Sequence, residues 1–159
     1  MGTVLISNTS LSWRTLDSLF NGTAHYRLSR EAKKSILKSH QLLNNLLDSD
    51  NKIYGVNTVF GKMSNVSISS VDLKKLQLNL VRSHACGVGK PLDPGVTRIA
   101  MVLKLMTWAK GFSGISPELS QLLLDMLNHD ILPIIPRKGS VGAAGDLAPL
   151  AHLACSMIG

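Results

Sequence analysis

The residues with the most chemical potential in this chain are also its smallest. Gly139-Ser140-Val141-Gly142-Ala143-Ala144-Gly145-Asp146 runs directly into Leu147-Ala148-Pro149-Leu150-Ala151-His152. Side chains this small let a backbone approach another group closely or fold tightly on itself. Asp146 is placed to cap a helix that starts near Leu147, and Pro149 is tolerated in the first turn of that helix. The loop would then lie at the positive end of a helix dipole. Two uses follow from these residue types: a backbone-built electrophilic or anion-facing site, or a tight turn that lets helices pack closely.

Other reactive side chains are few. Cys86 and Cys155 are the only cysteines; they are too few for a disulfide framework and lack metal-ligand spacing, which favours a reducing compartment and no metal. Gly55 to Lys62 superficially resembles a phosphate-binding loop, but it has one residue too many between its glycines, and Met63 stands where a magnesium-binding hydroxyl belongs. Gly87-Val88-Gly89-Lys90 fails similarly, because Pro91 follows the lysine. The formal charge of +7 is scattered, with Lys33-Lys34 and Lys74-Lys75 as the longest runs. Neither a basic stripe nor interleaved aromatics accompanies it, which argues against nucleic acid. The start of the chain carries no basic and apolar leader pattern, and no apolar run is long enough for a bilayer, so a soluble, cytoplasmic protein without membrane contact is expected.

The elements that must position the small-residue loop are mainly helical. With 159 residues, of which 45% are hydrophobic and 4% aromatic, the chain can form one domain with an aliphatic core. Val4-Leu5-Ile6 reads as a short strand, and Leu11, Trp13, Leu16, Leu19 and Phe20 as a short helix. Ser29 is a candidate N-cap for a helix presenting Ala32, Ile36, Leu43 and Leu47, which ends at Asp48 to Asn51. Lys52 to Ser70 reads as an ordered loop. A second long helix begins at Ser69 or Ser70, with Asp72 in a near capping box, and passes Leu73, Leu76, Leu80 and Val81 before stopping at Gly87. Asp93-Pro94 opens a third, with Val96, Ile99, Val102, Leu103 and Met106 as its expected inner face until Gly111. Ser116-Pro117-Glu118 repeats that grammar ahead of Leu122, Leu123, Met126 and Leu127. Pro133 and Pro136 then enforce an extended connection.

Taken together, three stretches resemble the aromatic amino acid ammonia-lyases, the family of the histidine, phenylalanine and tyrosine ammonia-lyases. They are Gly139 to His152, Tyr54-Gly55-Val56-Asn57-Thr58-Val59-Phe60-Gly61, and Leu76-Gln77-Leu78-Asn79-Leu80-Val81-Arg82-Ser83-His84 followed by Gly87-Val88-Gly89. The resemblance is closest to the histidine enzymes and covers nearly the whole chain. It implies a mainly α, N-terminal helical part of an ammonia-lyase-like fold, with short strands or ordered loops, truncated before the central helical bundle and forming one domain over residues 1–159. It implies elimination of ammonia from an aromatic amino acid, L-histidine first, to give urocanate, and a homo-oligomeric assembly. The family's electrophile is 4-methylideneimidazol-5-one, made from an Ala-Ser-Gly tripeptide. The resemblance places the attacked carbonyl at Ala143, the attacking nitrogen at Gly145, and the serine position at Ala144.

The resemblance also assigns Tyr54 as general base on a loop over the site and His84 as the substrate-selecting position. An imidazole there can hydrogen-bond a polar substrate ring. Read alone, Tyr54 is a half-buried loop tyrosine and His84 a surface or capping residue. Asn79 and Gln77 are expected to support helix packing and surrounding hydrogen bonds. Asp146 adjoins the tripeptide, although capping is sufficient reason for it. His152 is expected to lie along a packed helix without a catalytic role. Val59 replaces a glycine common in the tyrosine motif.

Two departures govern the functional expectation. Ala144 has no β-hydroxyl to lose, so the methylene cannot form by the family's route, and a covalent path is lost. Ser140 is four positions too early to substitute. The chain is also much shorter than the family's lyases, which leaves Leu147, Leu150 and Leu153 without expected packing partners. The resulting expectation is a histidine ammonia-lyase-like chain that is catalytically impaired as written. Alternatives are a non-enzymatic assembly or regulatory module that pairs with a full-length lyase, and a degraded gene fragment.

Overall fold

The computed structural model describes residues 2–49, 52–58 and 70–159. Its elements, in order, are β1 (Gly2–Ile6), α1 (Thr15–Phe20), β2 (Ala24–Leu28), α2 (Arg30–Asp48), α3 (Ser70–His84), β3 (Val88–Pro91), α4 (Pro94–Ala109), α5 (Pro117–Asn128), β4 (Pro136–Lys138) and α6 (Leu147–Ile158). The expected mainly helical class is what is found. Two compact units form, one from Met1–Leu42 with Lys90–Ile135, the other from Leu43–Gly89 with Pro136–Gly159.

The first unit contains a dense aliphatic core. β1 and β2 pair in parallel, from Gly2 opposite Ala24 to Ile6 opposite Leu28. Alternation along both strands buries Val4, Ile6, Tyr26 and Leu28 and turns Leu5 outward. The outer edge of β2 is closed by a side chain rather than a strand. Asn128 accepts from the Tyr26 N–H at 2.8 Å through Oδ1 and donates to the Tyr26 carbonyl at 3.1 Å through Nδ2. One amide thus imitates a neighbouring strand and satisfies both backbone groups.

Helix starts in this unit follow the capping rules. Ser29 Oγ accepts from Ala32 N at 3.0 Å, Asp93 Oδ1 from Gly95 N at 2.8 Å, and Ser116 Oγ from Leu119 N at 3.2 Å. The inner face of α4 corrects the sequence expectation. Val96 and Leu103 are 42% and 50% exposed, whereas Thr97, Arg98, Met101, Val102, Leu105, Trp108 and Ala109 are buried. The reason is Arg98. Its Nη2 and Nε donate to Asp130 Oδ1 at 2.7 and 3.2 Å, and its Nη1 donates to the carbonyls of Phe20 and Leu19 at 2.6 and 3.3 Å. A buried guanidinium is tolerable only with such partners. Two of them are the last carbonyls of α1, where a helix end favours a cation. At Gly95 an added Cβ would come within 2.5 Å of the Phe20 ring, so α1 and α4 touch through a residue with no side chain. In α5, Leu123, Leu124, Met126 and Leu127 are buried while Leu122, an expected core residue, stays 40% exposed.

The second unit is lighter. Helices α3 and α6 pack against each other, and Ala148, Ala151 and Leu153 are buried on α6. The strands Val88–Pro91 and Pro136–Lys138 form a two-stranded sheet, so the extended connection expected from the prolines includes a strand. Of the α2 positions expected on the inner face, Ala32 and Ile36 are buried and Leu43 and Leu47 only partly so.

Candidate active site

Every residue singled out for chemistry falls in the second unit. The Tyr54 turn is fixed by its own polar groups. Asn57 Oδ1 accepts from Ile53 N at 2.7 Å, and the N–H groups of Val56 and Asn57 return to the Ile53 carbonyl at 3.0 and 3.2 Å. Gly55 has φ +74, a left-handed conformation suited to glycine. Tyr54 itself is 64% exposed, more than the half-buried loop tyrosine expected from sequence alone. Val59 and the rest of that motif, together with Met63, lie outside the described residues.

Gln77 attaches this turn to α3. Its Nε2 donates to the carbonyls of Val56 at 2.9 Å and Gly55 at 3.3 Å, which is the hydrogen-bonding support expected of it. Asn79 lies exposed on the same helix. His84 ends α3, half buried, with Nδ1 2.8 Å from the Leu80 carbonyl and 3.1 Å from Ser83 Oγ. A carbonyl can only accept, so Nδ1 carries a proton. In the neutral ring Nε2 is then left as the acceptor, the state able to receive a hydrogen bond from a polar substrate.

The small-residue loop closes on itself. Gly142–Ala144 form a single 3-10 turn. Ala144 N and Asp146 N donate to the Val141 carbonyl at 2.9 and 3.3 Å, and Gly145 N donates to that of Gly142 at 3.1 Å. Gly145 and Asp146 are both left-handed, with φ +80 and +54. The expected Asp146 side-chain cap is corrected here. Left-handed backbone turns that carboxylate away from the first N–H groups of α6 and makes no side-chain cap bond; instead it accepts from Ser140 Oγ. Ser140 and Asp146 thereby tie the two ends of the loop together.

Residues 139 to 147 are all exposed, and a Cβ placed on Gly142 or Gly145 would have no heavy atom within 4 Å. The turn therefore presents Ala143, Ala144 and Gly145 to open space. Its walls are not supplied by the described residues around it. Glycine at 145 has a conformational reason, φ +80, that stands beside the chemical one.

His152 lies on a packed helix, as expected, and has in addition a backbone partner that the sequence does not name. It is half buried on α6, and its Nε2 accepts from the Gly87 N–H at 3.0 Å. The signal available in the sequence was the pair Gly87 and Gly139, since two glycines outside helices can mark close backbone approach. Among the described residues no group of three or more His, Cys, Asp or Glu is arranged to hold a metal, and no helix is long and apolar enough to cross a membrane. Cys86 and Cys155 are free thiols.

The described residues thus form a mainly helical scaffold that presents a self-closed, small-residue turn at the entrance to a helix. Residues 11–159 match the aromatic amino acid lyase family, and the chain belongs to it. It is 45% identical to the histidine ammonia-lyase of Natranaerobius thermophilus over 97% of this chain and 30% of that protein. Among solved structures, the histidine ammonia-lyase of Trypanosoma cruzi superposes with a TM-score of 0.87 at 35% identity, covering 99% of this chain and 30% of that one. The tyrosine aminomutase of Streptomyces globisporus gives a TM-score of 0.91 at 32% identity, over 99% and 29%. The chain thus spans about three tenths of the length of the relatives it matches and corresponds to an N-terminal portion of their fold.

Proposed function

We propose that this chain is the electrophile-bearing portion of a histidine ammonia-lyase-type protein and that, as written, it does not carry out the elimination. The observation that carries the reading is the turn at 143–145: it has the exposure and the left-handed glycine of a reactive loop, but a methyl group at position 144. The family's prosthetic group does not fit these residues. Its exocyclic carbon arises by loss of a β-hydroxyl, and Ala144 has none. Ser140 does not replace it, because the hydroxyl must sit on the middle residue of the cyclising tripeptide and Ser140 lies four positions earlier. Histidine is the substrate class this reading favours, because His84 presents an acceptor nitrogen suited to a polar ring.

The test is to incubate purified chain with L-histidine, follow urocanate absorbance, and record the intact mass. No turnover and a mass equal to that of the unmodified sequence are expected. Turnover, or loss of water from the chain, would overturn the reading.

A second role is supported by the open space around Gly142 and Gly145 and by the exposure of Val141 and Leu147, 58% and 49%. A site whose walls the described residues do not supply suits a module that borrows them, and we propose pairing with a full-length lyase or a second copy of this chain as the way it does so. Co-purification with a full-length relative from the same cell is the expected result. A sharp, concentration-independent melt of a monomer counts against it. Lyase-like sequence continuing beyond a stop codon in the downstream DNA would instead mark a degraded gene.

A further inference from the structure

The segment that follows His84 and the segment that leads into the 143–145 turn meet at Gly87, and the group that joins them is His152. Three observations converge there. The Gly87 N–H donates to His152 Nε2 at 3.0 Å. A Cβ on Gly87 would lie 3.0 Å from that same nitrogen and 3.2 Å from the Lys138 carbonyl. A Cβ on Gly139, where φ is +140, would lie 2.9 Å from Gly87 Cα and 3.4 Å from Ala148 Cβ. Two backbones therefore approach at glycine-only distance, and an imidazole receives the amide that faces it.

The geometry points to His152 as a positioning residue that sets the register of the His84 helix end against the loop bearing Ala143 to Gly145. His84 is three residues before Gly87, and its carbonyl accepts from Cys86 N at 2.8 Å, so the short link between them has little freedom. Gly139 opens the loop, and His152 follows it on the helix that the loop enters. To accept from an amide, Nε2 must be unprotonated, which in the neutral ring puts the proton on Nδ1. Loss of the acceptor strands a partly buried N–H and removes the side-chain bond that ties Gly87 to the helix the loop enters. The role of His84 and the loop as a substrate site rests on the function proposed above; the clasp itself does not.

The experiment is heteronuclear NMR on the full chain labelled with nitrogen-15. The expected result is a resolved coupling across the hydrogen bond between the Gly87 amide nitrogen and His152 Nε2, with His152 in the Nδ1–H form. In His152→Leu the Gly87 amide should exchange roughly tenfold faster, the worth of one lost hydrogen bond, and the His84 ring signals should shift. His152→Gln, whose side-chain oxygen can accept, should restore slower exchange. A His152 ring protonated at Nε2 in the unaltered chain, or Gly87 and His84 signals unmoved in His152→Leu, would overturn the assignment. Where His152→Leu does not fold, the milder His152→Gln carries the test: a shift of the His84 ring signals as the Gly87 bond changes its acceptor is expected, and His84 signals that stay fixed while the Gly87 amide shifts would overturn the assignment. Failure of the proposed function would show in urocanate or in mass and leave the Gly87 coupling intact.

Discussion

The two units of this molecule solve opposite problems. In the first, large side chains are hidden: Ile6, Met101, Val102, Leu105 and Leu123 are completely buried, and each contributes about 1.5–3 kcal/mol of apolar transfer. In the second, residues 139 to 147 are mostly small and all exposed, Tyr54 is exposed and His84 half buried, and hydrogen bonds within turns hold these segments in shape. Asn57 folds the Tyr54 turn, Gln77 ties it to α3, Ser140 meets Asp146, and His152 meets Gly87. The contrast is a separation of large buried apolar side chains in the first unit from exposed turns held by internal hydrogen bonds in the second.

That separation can be broken most forcibly in the core. Leu105→Ala should lower stability by about 2–5 kcal/mol through lost transfer energy and an unfilled cavity, read as a large fall in the urea midpoint. A fall well below that range would mean that the first unit is looser than its burial implies. Next comes Asn128→Ala, which strips the Tyr26 N–H and carbonyl of their partner and should cost about 1–3 kcal/mol. Amide exchange at Tyr26 is the direct readout, and unchanged protection would count against the strand-mimic role. Gly145→Ala has room for its methyl group but must place it on a left-handed backbone, φ +80, costing about 1–2 kcal/mol. This effect should be confined to the second unit.

A smaller effect lies at two helix starts in the first unit. The carboxyls of Glu31 and Glu118 are held below their ordinary range, first by the backbone N–H of their own residues and then by Ser29 and Ser116. A carboxyl depressed in the folded state favours folding at pH values above its unfolded range, and that contribution is lost as acid protonates it on the way down to the folded value. Glu31→Gln and Glu118→Gln should therefore flatten the acid limb of a stability profile by lowering stability slightly and evenly at neutral and higher pH, where the contribution is fully present, and leave stability in strong acid unchanged. The smallest expected change in stability is the most telling for chemistry. Ala144→Ser adds a hydroxyl at an exposed position and should alter stability by no more than about 0.5 kcal/mol. The same variant is expected to lose water in an intact-mass measurement, which the unaltered chain should not do. A serine variant of unchanged mass would show that the turn needs more than the missing atom.

Much of the scaffold was legible from residue types. Ser29, Asp93-Pro94 and Ser116-Pro117 announced three helix starts, and all three side chains accept the expected amides, because an N-cap bond is closed within three residues and needs no distant partner. The run of small residues also announced a tight turn, and Gly142–Ala144 form one. What local grammar could not place were features with remote partners. The face of α4 that turns inward carries Arg98 beside Met101, Leu105 and Trp108, and Arg98 is tolerated there because Asp130, Leu19 and Phe20 receive its donors. Asp146 looked like a cap, but a left-handed backbone gave its carboxylate to Ser140.

The family resemblance, three helix starts and the alanine at 144 can be read from residue identity at short range. Arg98 lying inside, Asn128 standing in for a strand and His152 facing Gly87 across 65 positions of chain depend on packing. The physical reason is that burying a charge, an amide or an imidazole is favourable only where a specific partner is delivered to it. That delivery is a property of packing, not of local sequence.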